Sequence, residues 1–99
     1  MIVDDPRPEI ELSVDYGYTW PMSTIFWEKE PDWPGLLPEQ LYKDLKGWAH
    51  FFNEHADHGT GLFGSEELRR HFDLEGFRLR DELEQAVGDK FRFRLRLWF

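Results

Sequence analysis

The chain has 99 residues, no cysteine, and 20 acidic against 12 basic side chains, which gives a formal net charge of −8. This length predicts one domain, and the missing cysteines exclude disulfides and thiolate-bound zinc. The acid excess opposes binding to a phosphate backbone, and no apolar run approaches the roughly 18 residues of a membrane span. Because the first residues, MIVDDPRPE, lack a basic stretch followed by an apolar run, we expect no signal peptide, no membrane contact and a cytoplasmic location.

Residues 9–16, EIELSVDY, alternate between polar and apolar side chains. Period two is typical of a half-buried strand, here with Ile10, Leu12, Val14 and Tyr16 on the core side and three acidic residues and Ser13 on the other. The preceding residues 1–8 hold two prolines and two adjacent acids, so we expect a loose lead-in to a single domain spanning 1–99.

Residues 15–33 combine aromatic and acidic side chains and are called the Trp-rich segment below. Aromatic anchors rimmed by charge are typical of protein-recognition surfaces, so we predict an interaction surface here. Its candidate residues are Asp15, Trp20, Phe26, Trp27, Glu28, Glu30, Asp32 and Trp33. The alternative is that the tryptophans form a lid over a small core.

Two helices are predicted after this segment. Apolar residues at helical spacing, beginning at Leu41 and Leu45, indicate a first helix over about 38–56. Ser65, followed by two glutamates, is a good N-cap for a second helix over about 65–87. Its apolar stripe misses a step near residues 75–76, so we expect a kink or a break within 73–77.

The C-terminal residues 90–99, KFRFRLRLWF, alternate between cations and large apolar side chains. We predict a strand that lies beside residues 9–16, with acidic and basic outer faces paired and apolar faces in one core. If the chain reverses at each of the three connections in the order strand–helix–helix–strand, this strand runs antiparallel to the first. Because two strands alone are marginal, residues 23–28 are the candidate third strand, in a hairpin with 9–16; a homodimer that continues the sheet is the other solution.

Three histidines, His50, His55 and His58, lie close together near the end of the first helix. Imidazole and carboxylate side chains suit zinc, so a metal-binding protein or a small hydrolase is one alternative function. The His-Glu-x-x-His pattern, a P-loop and a Gly-x-Ser-x-Gly nucleophile are missing from the sequence. We therefore expect no catalytic residues, no bound metal and no cofactor.

The arginine-rich C-terminal strand makes a nucleic-acid binder, or an acidic mimic of nucleic acid, another alternative. Single-stranded nucleic acid is bound where aromatic and basic side chains share one exposed face. Here they alternate, which places them on opposite faces and favours a core strand.

The layout of LSVDYGYTWPM, then LPEQLYKDLKGWAHFFNEH, a second helix and a terminal strand resembles small proteins of unknown function found in actinobacteria. The shared features are a Tyr-Trp-Pro stretch after the first strand and Trp48 followed by Phe52 in the first helix. The resemblance implies no activity and no site residues. From the residues, we expect an α+β domain that binds another, basic protein through the Trp-rich segment, as immunity proteins, antitoxins or inhibitors do.

Overall fold

The computed structural model describes residues 7–15, 17–24, 27–55 and 65–97 and has an α+β fold. The elements, in chain order, are β1 (Glu9–Leu12), α1 (Trp33–Leu36), α2 (Glu39–His55), α3 (Glu66–Val87) and β2 (Arg92–Leu95). The bounds of α2 and α3 agree within about two residues with the predicted helices, because both have strong apolar periodicity.

The sheet joins the two ends of the described chain. β1 pairs with β2 in the register Glu9 to Arg92, Ile10 to Phe93, Glu11 to Arg94 and Leu12 to Leu95. The N–H of Arg92 donates to Pro8 O and that of Arg96 to Leu12 O, each at 2.9 Å. The predicted neighbourhood of the two strands is therefore confirmed.

The direction of the pairing differs from the prediction, since β1 and β2 are parallel and not antiparallel. The prediction counted three reversals of the chain, one at each connection in the order strand–helix–helix–strand. The chain reverses once more directly after β1, where Leu12 forms an antiparallel bridge with Met22. This additional reversal turns the last strand parallel to the first.

The predicted third strand at residues 23–28 is not present in the part of it that the structure describes. Instead, Ser13 N–H donates to Pro21 O at 2.9 Å and Ser23 N–H to Glu11 O at 3.2 Å, on either side of the single Leu12–Met22 bridge. Residues 25 and 26 lie outside the described residues. The hairpin return exists, but it contributes one bridge rather than a strand.

Charged side chains pair across the outer face of the sheet, as the alternation predicts. Glu9 carboxylate oxygens lie 3.4 Å from Arg92 and 3.5 Å from Arg94, and those of Glu11 lie 2.9 Å from Arg94 and 3.5 Å from Arg96. Exposed pairs of this kind contribute about 0.2–1 kcal/mol each. Ile10, Leu12 and Phe93 on the opposite face are buried, and burial of such side chains supplies roughly 1.5–3 kcal/mol each.

Helices α2 and α3 pack antiparallel around Trp48. Its indole stacks on Phe72 with ring centroids 4.6 Å apart, and its Nε1–H donates to Phe72 O at 2.9 Å. Arg78 on α3 joins the helices on the surface, where its guanidinium contacts Asp44 of α2 at 3.1 Å and also Glu75 and Glu82. The hydrogen bonds that Arg78 donates, led by the one to Glu75, raise its pKa.

The predicted break in α3 is wrong, because the helix is continuous over Glu66–Val87. Ser65 caps its start, with its Oγ accepting from the N–H groups of Glu67 and Leu68. The apolar stripe misses a step at Gly76, and this glycine is buried at the point where Trp48 approaches α3. A missing side chain on the packing face explains the interrupted stripe.

Helix α1 is a third, short helix that the sequence did not predict. The N–H of Leu36 donates to Asp32 O and that of Leu37 to Trp33 O, each at 3.0 Å. Pro34 lies in the first turn of the helix, where the N–H that proline lacks would have no partner within the helix. Trp33 and Leu37 are buried by this turn. It therefore carries the end of the Trp-rich segment into the core.

The start of the described chain is attached to the turn after α3. Arg7 donates to Gly88 O, and Arg92 Nε donates to Arg7 O at 3.1 Å. The lead-in predicted for 1–8 is therefore fixed at its last two residues, and residues 1–6 lie outside the described chain. Among the described helices, none has the length and apolar character that crossing a membrane requires.

Candidate binding surface

The tryptophans of the Trp-rich segment pack against the core. Trp33 is only 3% exposed, and its ring lies 5.5 Å from that of Phe91 and 6.2 Å from that of Trp20. Trp20 and Trp27 are half-buried, with Trp20 5.2 Å from Tyr42 and Trp27 6.1 Å from Phe91. Trp33 is thus a core residue whose side chain is closed to a partner, which is the arrangement that the lid alternative describes.

Two indole N–H groups of this cluster have no acceptor among the described residues. Nε1 of Trp20 and Nε1 of Trp33 are both buried and lack a hydrogen-bond partner within the described chain. A buried donor without a partner costs about 1–3 kcal/mol. The cluster is therefore held by ring packing rather than by polar contacts.

The carboxylates of the segment have the opposite placement. Asp15, Glu28, Glu30 and Asp32 are all exposed. Glu30 is fixed by the buried hydroxyl of Thr24, which donates to Glu30 Oε1 at 2.9 Å. The predicted residue Phe26 lies outside the described residues. The segment thus buries its tryptophan rings fully or in part and exposes its carboxylates.

Among the described residues of this region, Tyr18 is the exposed aromatic residue, and the sequence interpretation missed it. Its side chain is 59% exposed. It follows Gly17, whose φ of +83° lies in the left-handed region that favours glycine, and its N–H donates to Asp15 O at 3.2 Å. A tyrosine beside a turn glycine was the available signal.

The side chain of Asn53 on α2 is hydrogen-bonded to the backbone of this turn. Its Oδ1 accepts from Gly17 N–H at 2.7 Å, and its Nδ2 donates to Tyr18 O and to Ala49 O, each at 3.0 Å. One amide side chain thereby satisfies both a donor and an acceptor of the turn. Tyr18 is consequently presented on a backbone that is fixed to the helix.

Three open grooves meet at Tyr18. The first, of about 490 Å³, runs along α2 past Lys46, His50 and Asn53. The second, of about 380 Å³, passes Trp20 and Glu30. The third, of about 190 Å³, passes Asp15 and Arg96. We call Tyr18, together with the groove-lining residues Asp15, Glu30, Lys46, His50 and Arg96, the Tyr18 surface.

The predicted histidine cluster is not assembled among the described residues. His50 Nε2 lies 2.9 Å from Glu54 Oε1, whereas the His55 ring packs 4.3 Å from Phe51. His58 lies outside the described residues. Within the described ranges, no three His, Asp or Glu side chains are grouped so that they could hold a metal ion.

The arginines and rings of β2 lie on opposite faces. Arg92, Arg94 and Arg96 are next to glutamates of β1, and Phe93 is buried. Phe91, just before the strand, contacts the rings of Trp27 and Trp33. The rings therefore contribute to the core and not to a stacking platform beside the cations.

Comparison with known proteins gives no family, because no protein-family model and no curated protein matches the chain. The outline resemblance to small actinobacterial proteins stays a prediction.

Proposed function

We propose that the chain is a non-enzymatic protein-binding module that binds a basic partner protein through the Tyr18 surface, in the manner of an immunity protein, an antitoxin or an inhibitor. The observation that carries the proposal is the placement of Tyr18, 59% exposed where three grooves meet. Tyrosine is enriched among the few residues that dominate binding energy in protein interfaces.

The fixed backbone of the turn supports the proposal. Association costs free energy whenever loops and side chains must be ordered on binding. Asn53 already holds Gly17 and Tyr18 against α2, so this part of the surface is ordered before a partner arrives. Trp20, Trp27 and Trp33 pack against the core and so order the rest of the Trp-rich segment before a partner arrives. We therefore give them a supporting role.

The charge of the molecule supports a basic partner. The formal net charge is −8, and four carboxylates of the Trp-rich segment are exposed. Complementary charge raises the association rate and suppresses wrong partners more than it raises affinity. We therefore assign affinity to Tyr18 and steering to Asp15, Glu28, Glu30 and Asp32, with Phe26 as a further contact.

The test begins with affinity capture of the partner protein from the source cells. The partner is then purified and titrated calorimetrically with the wild type and with Tyr18→Ala. Loss of a central tyrosine should weaken binding by at least roughly thirtyfold, about 2 kcal/mol. Thermal unfolding of the variant should match that of the wild type, since the side chain is exposed. Gln40→Ala is the control, because it truncates an exposed side chain of α2 that lines none of the three grooves, and it should leave the titration unchanged.

A second variant tests the charge. Asp15→Asn combined with Glu30→Gln keeps the hydrogen bond from Thr24 but removes two charges, and it should slow association and flatten its salt dependence. The proposal fails if Tyr18→Ala binds as the wild type does, or if Gln40→Ala weakens binding as much.

A further inference from the structure

Helix α3 has a second apolar stripe on the side away from the core. Leu74 is 61% exposed and Phe77 is 40% exposed, and residues three apart share a helix face. Arg70 lies four residues before Leu74 and Asp81 four residues after Phe77, and both are exposed. This spacing of four, three and four residues is the one by which a helix packs along another helix.

The stripe is asymmetric in charge. Arg70 lies on the N-terminal side of the apolar pair and Asp81 on the C-terminal side, and the next exposed positions outward, Glu67 and Glu84, are both acidic. Leu74 and Phe77 lie between these ends, with the Arg80 guanidinium 5.5 Å from the Phe77 ring. A partner helix that matches this face needs an apolar centre and the reversed order of charges.

A second copy of the same helix, running antiparallel, has that order. Leu74 and Phe77 have the same midpoint in the sequence as Arg70 and Asp81. A two-fold axis through this midpoint therefore places Leu74 of each copy on Phe77 of the other. The same axis places Arg70 of each copy beside Asp81 of the other.

We propose that α3 is a homodimerisation surface, on which two copies pack antiparallel with a two-fold axis between Leu74 and Phe77. A parallel pair would set Arg70 against Arg70 and Asp81 against Asp81, and it would align the two helix dipoles. Glu67 of one copy and Glu84 of the other carry like charges and come opposite each other. They lie further from the two-fold axis, where the crossing angle of packed helices moves the two helices apart.

The other route to a dimer, through the outer edge of β2, is disfavoured by charge. Antiparallel pairing of two β2 strands would bring Arg92, Arg94 and Arg96 of one copy against those of the other. Like charges directly across a strand pair are destabilising, and charged side chains commonly protect an edge from such pairing. The α3 face has no corresponding conflict at its centre.

The surface is separate from the Tyr18 surface, so each can fail without the other. A single helix face is a small interface, and small interfaces give weak association. We expect dissociation in the micromolar range, which sedimentation equilibrium of the full chain measures from about 1 µM to about 1 mM. The wild type should shift over this range from the mass of one chain to that of two.

Variants of the apolar centre give the first test. Leu74→Asp and Phe77→Asp should each keep the chain monomeric over the whole range. Both positions are exposed, so unfolding at low concentration should match the wild type. A wild type that stays monomeric at about 1 mM, or a Leu74→Asp variant that still dimerises, overturns the proposal.

A charge exchange tests the geometry itself. Arg70→Asp and Asp81→Arg should each weaken dimerisation by about tenfold, because each sets like charges opposite one another. The double variant Arg70→Asp with Asp81→Arg recreates opposite charges only in the antiparallel arrangement and should recover affinity to within about threefold of the wild type. A double variant as weak as the singles would overturn the proposed axis.

Discussion

The indole ring of Trp48 occupies the space beside Gly76 that a side chain would need. A Cβ at position 76 would lie 2.8 Å from Trp48 Cζ2 and 3.3 Å from Leu95 Cδ1. The ring is held in place, since it stacks on Phe72 and donates its N–H to Phe72 O. Gly76 therefore sets how closely α2, α3 and β2 approach one another.

Gly76→Ala should destabilise the protein. Alanine is favoured over glycine in a helix by about 1 kcal/mol, but overpacking of a core costs typically 1–3 kcal/mol. Because the nearest atom belongs to a fixed ring, we expect a net loss of up to about 2 kcal/mol. The free energy of unfolding in urea measures it.

Gly47→Ala is the matched control. Gly47 lies in the middle of α2, is exposed, and a Cβ there would meet no atom within 4 Å. This variant should gain about 1 kcal/mol from helix propensity alone. Equal gains for the two alanines would contradict the packing role of Gly76.

Several features of the fold follow from local sequence patterns. The alternation in residues 9–16 and 90–99 predicted two neighbouring strands with paired charges, and Glu11 beside Arg94 confirms it. The apolar stripes predicted α2 and α3 because helical period and strand period differ clearly. These elements carry their signal within a few residues.

Other features depend on contacts between residues far apart in the sequence and could not be predicted from local patterns. The Leu12–Met22 bridge leaves no alternation around Met22, yet it decides that β1 and β2 are parallel. Gly76 alone indicates a kink, and only the position of Trp48 shows that it makes room for a ring. The composition of the Trp-rich segment fits both a lid and a binding surface. Only the structure shows that Trp33 is buried and that Tyr18 is exposed.

Trp33→Ala should unfold or strongly destabilise the chain. The side chain is buried, and truncation of a buried tryptophan costs about 3–5 kcal/mol. Trp33→Phe should cost much less, because it keeps a ring beside Phe91 and removes an indole N–H that has no acceptor in the described chain. Thermal unfolding followed by circular dichroism measures both. If Trp33→Ala folds as stably as the wild type, Trp33 does not support the core.

Asn53→Ala should loosen the turn at Tyr18. The variant loses the acceptor for Gly17 N–H and the donor to Tyr18 O, for a loss of about 1 kcal/mol of stability. Amide hydrogen exchange at Gly17 should accelerate, whereas exchange in α3 should stay slow.

Asn53→Asp separates the two halves of this contact. A carboxylate still accepts from Gly17 N–H but cannot donate to Tyr18 O. Exchange at Gly17 should therefore stay closer to the wild type than in Asn53→Ala. Unchanged exchange at Gly17 in Asn53→Ala would show that Asn53 does not hold the turn.

Asp73→Asn should stabilise the protein at neutral pH. Burial raises the pKa of Asp73, and the attraction of Arg69, whose Nε is 3.9 Å from Asp73 Oδ2, only partly opposes the rise. Its Oδ1 is buried without a hydrogen-bond partner among the described residues. The charged form is therefore less favourable in the folded chain than in the unfolded chain.

The sign of the pH dependence follows from this raised pKa. As the pH falls through it, the folded wild type takes up a proton before the unfolded chain does, so this site becomes less destabilising. The advantage of Asp73→Asn should therefore be largest near pH 7 and shrink as the solution is acidified. Asp89→Asn, which removes the same charge at an exposed position just after α3, is the control for the change in net charge. Urea unfolding at a series of pH values measures the difference, and an advantage that grows towards acid pH would show that the buried carboxylate is stabilising as an anion.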